Sequence, residues 1–199
     1  MDLVLPDGKK RCFGHKHGQE ILAHYHDTEW GIPVRDDDRL LFEMLTLEGA
    51  QAGLNWEIVL KKRRGYQEAF HNFDIAAVAA MQDEELEALR QFDGIVKNRL
   101  KIYSTRSNAA AILDIQREFS SFSNYLWGFV DDTALVNHYA DGEMMPASTP
   151  LSDAMSKDMK KRGLRFVGTT IIYAYIQGVG LVNDHLADCW CVHQAARQS

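Results

Sequence analysis

Leu40-Leu41-Phe42-Glu43-Met44-Leu45-Thr46-Leu47-Glu48-Gly49-Ala50-Gln51-Ala52-Gly53-Leu54-Asn55-Trp56 is the stretch that sets the fold class. Leu41, Met44, Leu45, Glu48 and Ala52 fall at i, i+3, i+4, i+7 and i+11, the spacing of one buried helical stripe. Asp36, Asp37 and Asp38 stand ahead of it as candidate caps. A carboxylate therefore occupies a place where the pattern asks for leucine. An unpaired charge there costs several kcal/mol, roughly, so Glu48 is protonated, paired, or reserved for a cationic ligand. A buried glutamate satisfied by backbone or arginine accounts for this stretch equally well.

Outward from this helix the chain reads as helical with short connections. Gln19 to His26 makes a short helix ending before Gly31-Ile32-Pro33, and Gly53-Leu54-Asn55 separates the Leu40 helix from one spanning Trp56 to about Ala69. Asp74 caps Ile75 to Met81, Asp83 caps Glu84 to Phe92, and Asp93-Gly94 turns into a long helix, Lys97 to Glu118. Ser120-Ser121-Phe122-Ser123 opens another helix, and Tyr139 to Pro150 is a loop. Ser152 or Asp153 caps a helix to Lys161, and a hairpin at about 160–170 leads into Thr169 to Gly178. Strand-like alternation is absent over any useful length. The expected class is all-α.

At 199 residues the chain fits one domain, or two small lobes on one core. Hydrophobic content of 46% and charge of 25% are those of an ordinary globular protein, and no apolar run approaches a membrane span. Met1 to Arg11 has no signal-peptide core, and three cysteines argue for a reducing, cytoplasmic setting. The net charge of -6 disfavours nucleic acid on its own. Basic residues are nevertheless clustered, at Lys61-Lys62-Arg63-Arg64 and at Lys160-Lys161-Arg162 with Arg165. Such runs are either solvated helix faces or local phosphate sites.

Two further patterns carry chemistry. His185 and Cys189 stand at i and i+4 and share a face if their segment is helical, while Cys12 and His26 supply a second soft-ligand pair upstream. Two thiolates and two imidazoles suit tetrahedral zinc, and four protein ligands would make the site structural. Spacing leaves Cys191, His15, His17, His24 and His193 as competing ligands, and buried thiols with incidental histidines as the other reading. The second pattern is Lys160-Lys161-Arg162-Gly163-Leu164-Arg165-Phe166-Val167-Gly168-Thr169-Thr170. It is either a helix corner with a C-cap glycine or a hairpin presenting backbone N–H groups to DNA phosphate.

Taken together these residues resemble the 3-methyladenine DNA glycosylase I family of the helix-hairpin-helix glycosylase superfamily. The resemblance is carried by Tyr25-His26-Asp27-Thr28-Glu29-Trp30-Gly31, by Leu47-Glu48-Gly49 with Gln51-Ala52-Gly53-Leu54 and Trp56, and by Val59-Leu60-Lys61-Lys62-Arg63. Lys160-Lys161-Arg162-Gly163, Phe166-Val167-Gly168-Thr169-Thr170 and Gly180-Leu181-Val182-Asn183-Asp184-His185 extend it over nearly the whole chain. It implies one structural zinc on Cys12, His26, His185 and Cys189, clipping the two termini together. It implies a monofunctional enzyme that hydrolyses N3-methylated purines from duplex DNA, with free 3-methyladenine as product. Glu48 would contact the flipped-out base between aromatic walls, Tyr25 and Trp56. A desolvated carboxylate beside π faces favours a cationic alkylated base, so its role is recognition and transition-state stabilisation rather than strong general base.

The same resemblance places a wedge at Leu54, beside Gly53 and Gln51, against a core leucine as the alternative. It places backbone grip at Lys161, Arg162, Gly163, Arg165, Gly168 and Thr169. Gly168 stands where bifunctional relatives carry a lysine, so no Schiff-base nucleophile is expected. Asp184 is expected to brace His185. Gly14 replaces a tryptophan usual in the family and Leu22 a tyrosine, with Phe13 as the replacement for the missing tryptophan. A non-catalytic, zinc-stabilised module that binds damaged DNA is the alternative function. A membrane partner is not expected, and a monomer is.

Overall fold

A computed structural model describes residues 7–51 and 53–192 of the chain. Ala52 of the predicted stripe and His193 among the candidate ligands lie outside the described residues. The fold is all-α. In chain order the helices are α1 (Glu20–Thr28), α2 (Asp38–Gln51), α3 (Trp56–Ala69), α4 (Ile75–Ala80), α5 (Asp83–Leu89), α6 (Arg99–Phe119), α7 (Phe122–Trp127), α8 (Pro150–Lys161) and α9 (Thr169–Gly178). Among the described residues no helix is long and apolar enough to cross a membrane.

The central element is α2, which packs against α3, α6, α7 and α9. Every residue from Leu41 to Ala50 is buried, so a single stripe understates how much of this helix faces protein. Burying each large side chain of such a helix contributes about 1.5–3 kcal/mol. The aspartates at its start divide the capping work. Asp37 Oδ1 accepts from Leu40 N at 2.8 Å, while Asp38 accepts from Phe122 N and Ser123 N at 2.7 and 2.8 Å and from Gln116 Nε2. The first residue of α2 thereby caps α7, tying the two helices through orphan N–H groups.

Local chemistry sets most other boundaries. Asn55, Asp74, Asn98 and Ser121 each accept a backbone N–H at the start of α3, α4, α6 and α7. Two caps differ from expectation. Gln82, not Asp83, stands at the N-cap of α5, with Glu85 reaching back to the Gln82 N–H at 2.7 Å. Thr149, not Ser152 or Asp153, caps α8 and places Pro150 at the first helical position, where its missing N–H costs nothing. Ser152 answers from the third position of that box.

The chain also contains a parallel pair of two-residue strands, β1 (Leu135–Val136) and β2 (Val182–Asn183). Neither is long enough to show alternation, which is why the pattern gave no strand. The pair, with a bridge between Tyr139 and Leu186, ties the segment before α8 to the C-terminal segment after α9.

Candidate functional site

A cavity of about 420 Å³ opens between α1, α2, α3 and α9, with Phe13, Leu22, Tyr25, Trp30, Glu48, Trp56 and Gln177 in its lining. Two buried carboxylates lie on α2, and their surroundings differ. Glu43, which sequence reasoning missed, is fully buried and accepts from Arg39, Arg63 and Gln67 at 2.6–2.9 Å; Arg63 also pairs with Glu29. Glu48 is 4% exposed and, among the described residues, its Oε2 has no hydrogen-bond partner. Desolvation pushes its pKa from 4.5 to about 8. Glu43 is therefore a structural ion-pair residue, whereas Glu48 is a carboxyl group at the wall of a cavity with no counter-charge among the described residues.

The polar atoms around Glu48 are unpaired in the same way. The Tyr25 hydroxyl and the Trp56 indole N–H are buried without partners among the described residues. Burial first, then the Glu48 charge, raises Tyr25 well above an ordinary tyrosine, so it stays a neutral donor. The two rings meet edge-on at 5.4 Å between centroids, and Phe13 lies 6.4 Å from Tyr25. Gly178 lets α9 reach this place, since a Cβ there would come within 2.9 Å of the Tyr25 hydroxyl. Orphaned buried polar groups facing one cavity are the mark of a site completed by a ligand.

The two departures in the first segment are both accommodated. Gly14 has φ +72°, and a Cβ on it would sit 2.5 Å from the backbone N of Ala23, so no larger residue fits that turn. Phe13 turns into the lining instead, with its ring 5.0 Å from both His26 and Trp30. Leu22 joins the same wall. Sequence reasoning did not single out Trp30 or Gln177 as lining residues; Trp30 lies just past the end of α1 and Gln177 in the last turn of α9, and only packing aims them at the cavity.

Behind this wall Cys12, His26, His185 and Cys189 converge, with their ligand atoms all within 4.8 Å of one another. Cys12 Sγ lies 3.5 Å from His185 Nδ1, and Cys189 Sγ lies 3.4 Å from both His26 Nε2 and His185 Nδ1. Sulfur and nitrogen ligands on one tetrahedral zinc stand about 3.5 Å apart, from bond lengths of about 2.3 and 2.0 Å. The outward ring atoms are fixed as well: His26 Nδ1 meets Asp27 Oδ1 at 2.9 Å, and His185 Nε2 meets the Trp30 carbonyl at 3.0 Å. Among the described candidates, these four are the ones that converge as two Cys and two His. Cys191 Sγ lies 3.9 Å from His26 Nδ1, on the far side of the ring. Hydrogen bonds from Cys12 and Cys191 hold the Cys189 thiol far below its ordinary pKa.

Two expectations about this segment need correction. His185 to Cys189 is not helical; a turn with Cys189 N bonded to Leu186 O at 2.9 Å brings the two candidate ligands together. Asp184 does not brace His185. Its carboxylate is fully buried and accepts from Asn137, Tyr173 and Gln177.

On the open side of the cavity, Gly53 turns with φ +81° and Leu54 is 39% exposed, which sets aside the core-leucine reading. Gln51 caps this turn, its carbonyl accepting from Leu54 N at 2.6 Å. The hairpin between α8 and α9 turns at Gly163, with φ +90°. Buried Leu164 and Val167 anchor it, while Lys161 and Arg165 are exposed. Asn108 of α6, missed from sequence, brackets Arg165 by accepting from its N–H at 2.8 Å and donating to its carbonyl at 3.0 Å.

Some of the basic residues are already engaged. Arg162 pairs with Asp158 and Glu118 and stacks over Phe119 and Tyr125. Arg63 belongs to the Glu43 network, and Lys61 pairs with Glu57. The Thr169 hydroxyl bonds Asp153 and Ser152 across the hairpin. Gly168 is the N-cap of α9, leaving the first N–H groups of that helix without intrahelical partners.

Comparison with known proteins agrees with this arrangement. Residues 15–193 match the family model described as methyladenine glycosylase. DNA-3-methyladenine glycosylase 1 of Escherichia coli (strain K12) is 48% identical over 182 residues, covering 92% of this chain and 96% of that protein. A crystal structure of a 3-methyladenine DNA glycosylase I superposes with a TM-score of 0.82 at 46% identity, over 93% of this chain and 97% of that one. The Staphylococcus aureus 3-methyladenine DNA glycosylase I, solved to explain 3-methyladenine recognition, gives 0.83 at 33% identity, over 85% and 90%. A match of this extent means that the chain belongs to the methyladenine glycosylase family.

Proposed function

We propose that this protein is a monofunctional DNA glycosylase that removes N3-methylated purines, 3-methyladenine chiefly, from duplex DNA. The observation that carries the reading is Glu48, a buried carboxyl with an unpartnered oxygen at the wall of an aromatic-lined cavity. N3-methylation makes the attached adenine cationic, and Tyr25, Trp56 and Phe13 offer ring surface to a flipped base. A cation beside Glu48 restores the carboxylate, so binding favours the damaged base over neutral adenine.

In the reaction the N9–C1′ bond breaks, and the base leaves with the bonding pair and becomes neutral. Water then bonds to C1′ and gives its proton to solvent, which leaves an abasic site. Glu48 stabilises the positive charge developing on the sugar. Leu54 fills the vacated stack, and the hairpin's backbone N–H groups with Lys161 and Arg165 hold phosphate. Arg162 contributes by fixing the hairpin to α6 and α7, while Gly163 and Gly168 allow close backbone approach. Gly168 also supports hydrolysis without a Schiff base, because no amine stands there.

Cys12, His26, His185 and Cys189 would hold one zinc ion, whose closed shell supplies structural rigidity and joins the N-terminal segment to the C-terminal one. The whole chain, 1–199, acts as one glycosylase domain whose two helical lobes share the base cavity. It works as a cytoplasmic monomer without a membrane partner. The test is chromatography of the bases released from dimethylsulfate-treated DNA. Release of 3-methyladenine, lost or strongly reduced in Glu48→Ala, is expected. Folded, zinc-loaded protein that binds alkylated DNA but releases no base would replace this reading with a damage-binding module.

A further inference from the structure

The first half of α6 carries a lysine where its own helix has no use for one. Lys101 is the third residue of α6, a helix with no acid in its first turn. A cation there opposes the positive end of its own helix dipole. The side chain is half-buried, and desolvation lowers its pKa. Its ammonium is turned to α2, donating from Nζ to the Ala50 carbonyl at 2.7 Å. That carbonyl belongs to the negative end of α2, which finishes at Gln51.

The state of the Ala50 carbonyl depends on the turn that follows it. Continued α-helix would give it the N–H of Leu54, four residues on. Leu54 N bonds Gln51 O at 2.6 Å instead, as the chain turns at Gly53 and exposes Leu54. The ammonium takes the acceptor that the turn sets free, so it stabilises the turned conformation over continued helix. Asn108, which brackets the Arg165 backbone, lies two helical turns further along α6 on the same face, about 10 Å from Lys101 by helix rise. One face of one helix thus holds the wedge turn at one point and the hairpin at another. The end of α2 and the hairpin also touch directly, since a Cβ on Gly49 would come within 3.2 Å of Phe166 Cβ.

We propose that Lys101 is a positioning residue for opening the duplex: it sets the Gly53–Leu54 turn so that Leu54 projects as the wedge, while α6 keeps that wedge at a fixed distance from the phosphate-binding hairpin. This rests on the base-excision reading above and adds what orients its wedge. A leucine on a loose turn would have to be ordered as it entered the stack, and that entropy would oppose insertion. A turn set beforehand removes the cost before DNA arrives. Lys101 acts on extrusion and touches neither base nor sugar, so its loss should leave the cavity's affinity for free base unchanged.

The experiment compares wild type with Lys101→Met, which keeps most of the stem and removes the ammonium, with Lys101→Arg, with Leu54→Ala, and with Lys101→Met and Leu54→Ala combined. One readout is single-turnover release of 3-methyladenine from a methylated duplex. The other is the fluorescence of 2-aminopurine placed beside an abasic analogue, which rises when binding opens the stack. Lys101→Met should slow release about tenfold with leucine at the wedge and by no more than about twofold with alanine there, because both residues act through one step. It should also lose most of the fluorescence rise and keep wild-type affinity for free 3-methyladenine. Lys101→Arg should restore part of both losses. A merely structural loss would multiply with Leu54→Ala instead of disappearing in it. Equal slowing by Lys101→Met in both backgrounds, or an undiminished rise, would overturn the inference and leave the glycosylase reading intact. A rise that survives in Leu54→Ala would overturn it as well, because Leu54 would not be the wedge. Wild type that releases no base would overturn the base-excision reading, and the 2-aminopurine signal would still decide for or against Lys101. If Lys101→Met does not fold, Lys101→Gln takes its place.

Discussion

Replacing Glu48 by glutamine should remove a loss of stability that the wild-type protein undergoes as pH rises. The carboxyl is fully buried, and desolvation raises its pKa from 4.5 to about 8. Between those two values the folded protein holds a proton that the unfolded chain releases, so stability declines as pH rises through that window. At about 1.4 kcal/mol per unit, the loss is roughly 1 kcal/mol by pH 5 and about 3 kcal/mol by pH 7. Glutamine keeps the shape and removes the titration. Its amide leaves a polar group unpaired at every pH, so the slope, not the absolute difference, carries the prediction.

Thermal melts by circular dichroism at pH 5, 6 and 7, in one zinc-buffered series, provide the assay. A protein of about 200 residues gains roughly 2–4 °C per kcal/mol, so wild type should lose about 4–8 °C more than Glu48→Gln between pH 5 and 7. Protonation of the Cys/His quartet affects both proteins equally and cancels in the comparison. Parallel profiles for the two would refute the reasoning, because they would mean that Glu48 is solvated or paired and bears no desolvation cost.

Cys189→Ser should lower bound zinc, measured by elemental analysis, from one per chain to none, and lower stability by at least about 3 kcal/mol, with no further effect of a chelator. Asn108→Ala removes both bonds to the Arg165 backbone and should cost about 2–3 kcal/mol in urea unfolding, with weaker duplex binding measured by anisotropy. Leu54→Ala, at an exposed position, should change stability by less than about 0.5 kcal/mol while slowing excision roughly tenfold.

The helices were legible wherever local chemistry decides them. The leucine pattern of α2, the Asp74 cap and the glycine at the hairpin each have an immediate cause within a few residues of sequence. Boundaries were misplaced where a residue has two meanings. Pro150 reads as the end of a loop and also as the first residue of a helix, and only the partner of Thr149 decides between them. Glu48 was legible because it interrupts an apolar stripe. Glu43 was not, because its significance depends on Arg63, which lies in a basic run that reads as a solvated face. His185 and Cys189 were paired by helical spacing, yet a turn joins them. Resemblance named the four residues that converge, where helical spacing alone did not bring the two ends of the chain together. Asp184, adjacent to a metal-ligand candidate in sequence, points instead to Asn137 and to Tyr173 and Gln177 of α9.

The contrast between Glu43 and Glu48 also bears on why the cavity exists. Both sit on one helix at comparable burial, and the fold provides one with two arginines and a glutamine while providing the other with none. A purely structural position under that cost would be expected to hold leucine or glutamine. Leaving the carboxyl unpaired keeps it poised for a charge that arrives from outside. The walls that would receive that charge are set by the neighbouring Cys/His cluster. Phe13 follows Cys12, and Tyr25 precedes His26, so each upstream ligand has a cavity residue as its sequence neighbour. Trp30 belongs to both, lining the cavity with its ring while its carbonyl meets His185. A metal at the quartet would therefore do more than join the chain ends: by fixing Cys12 and His26 it would fix the aromatic walls, through one covalent step on each side, against the carboxylate that α2 holds in place.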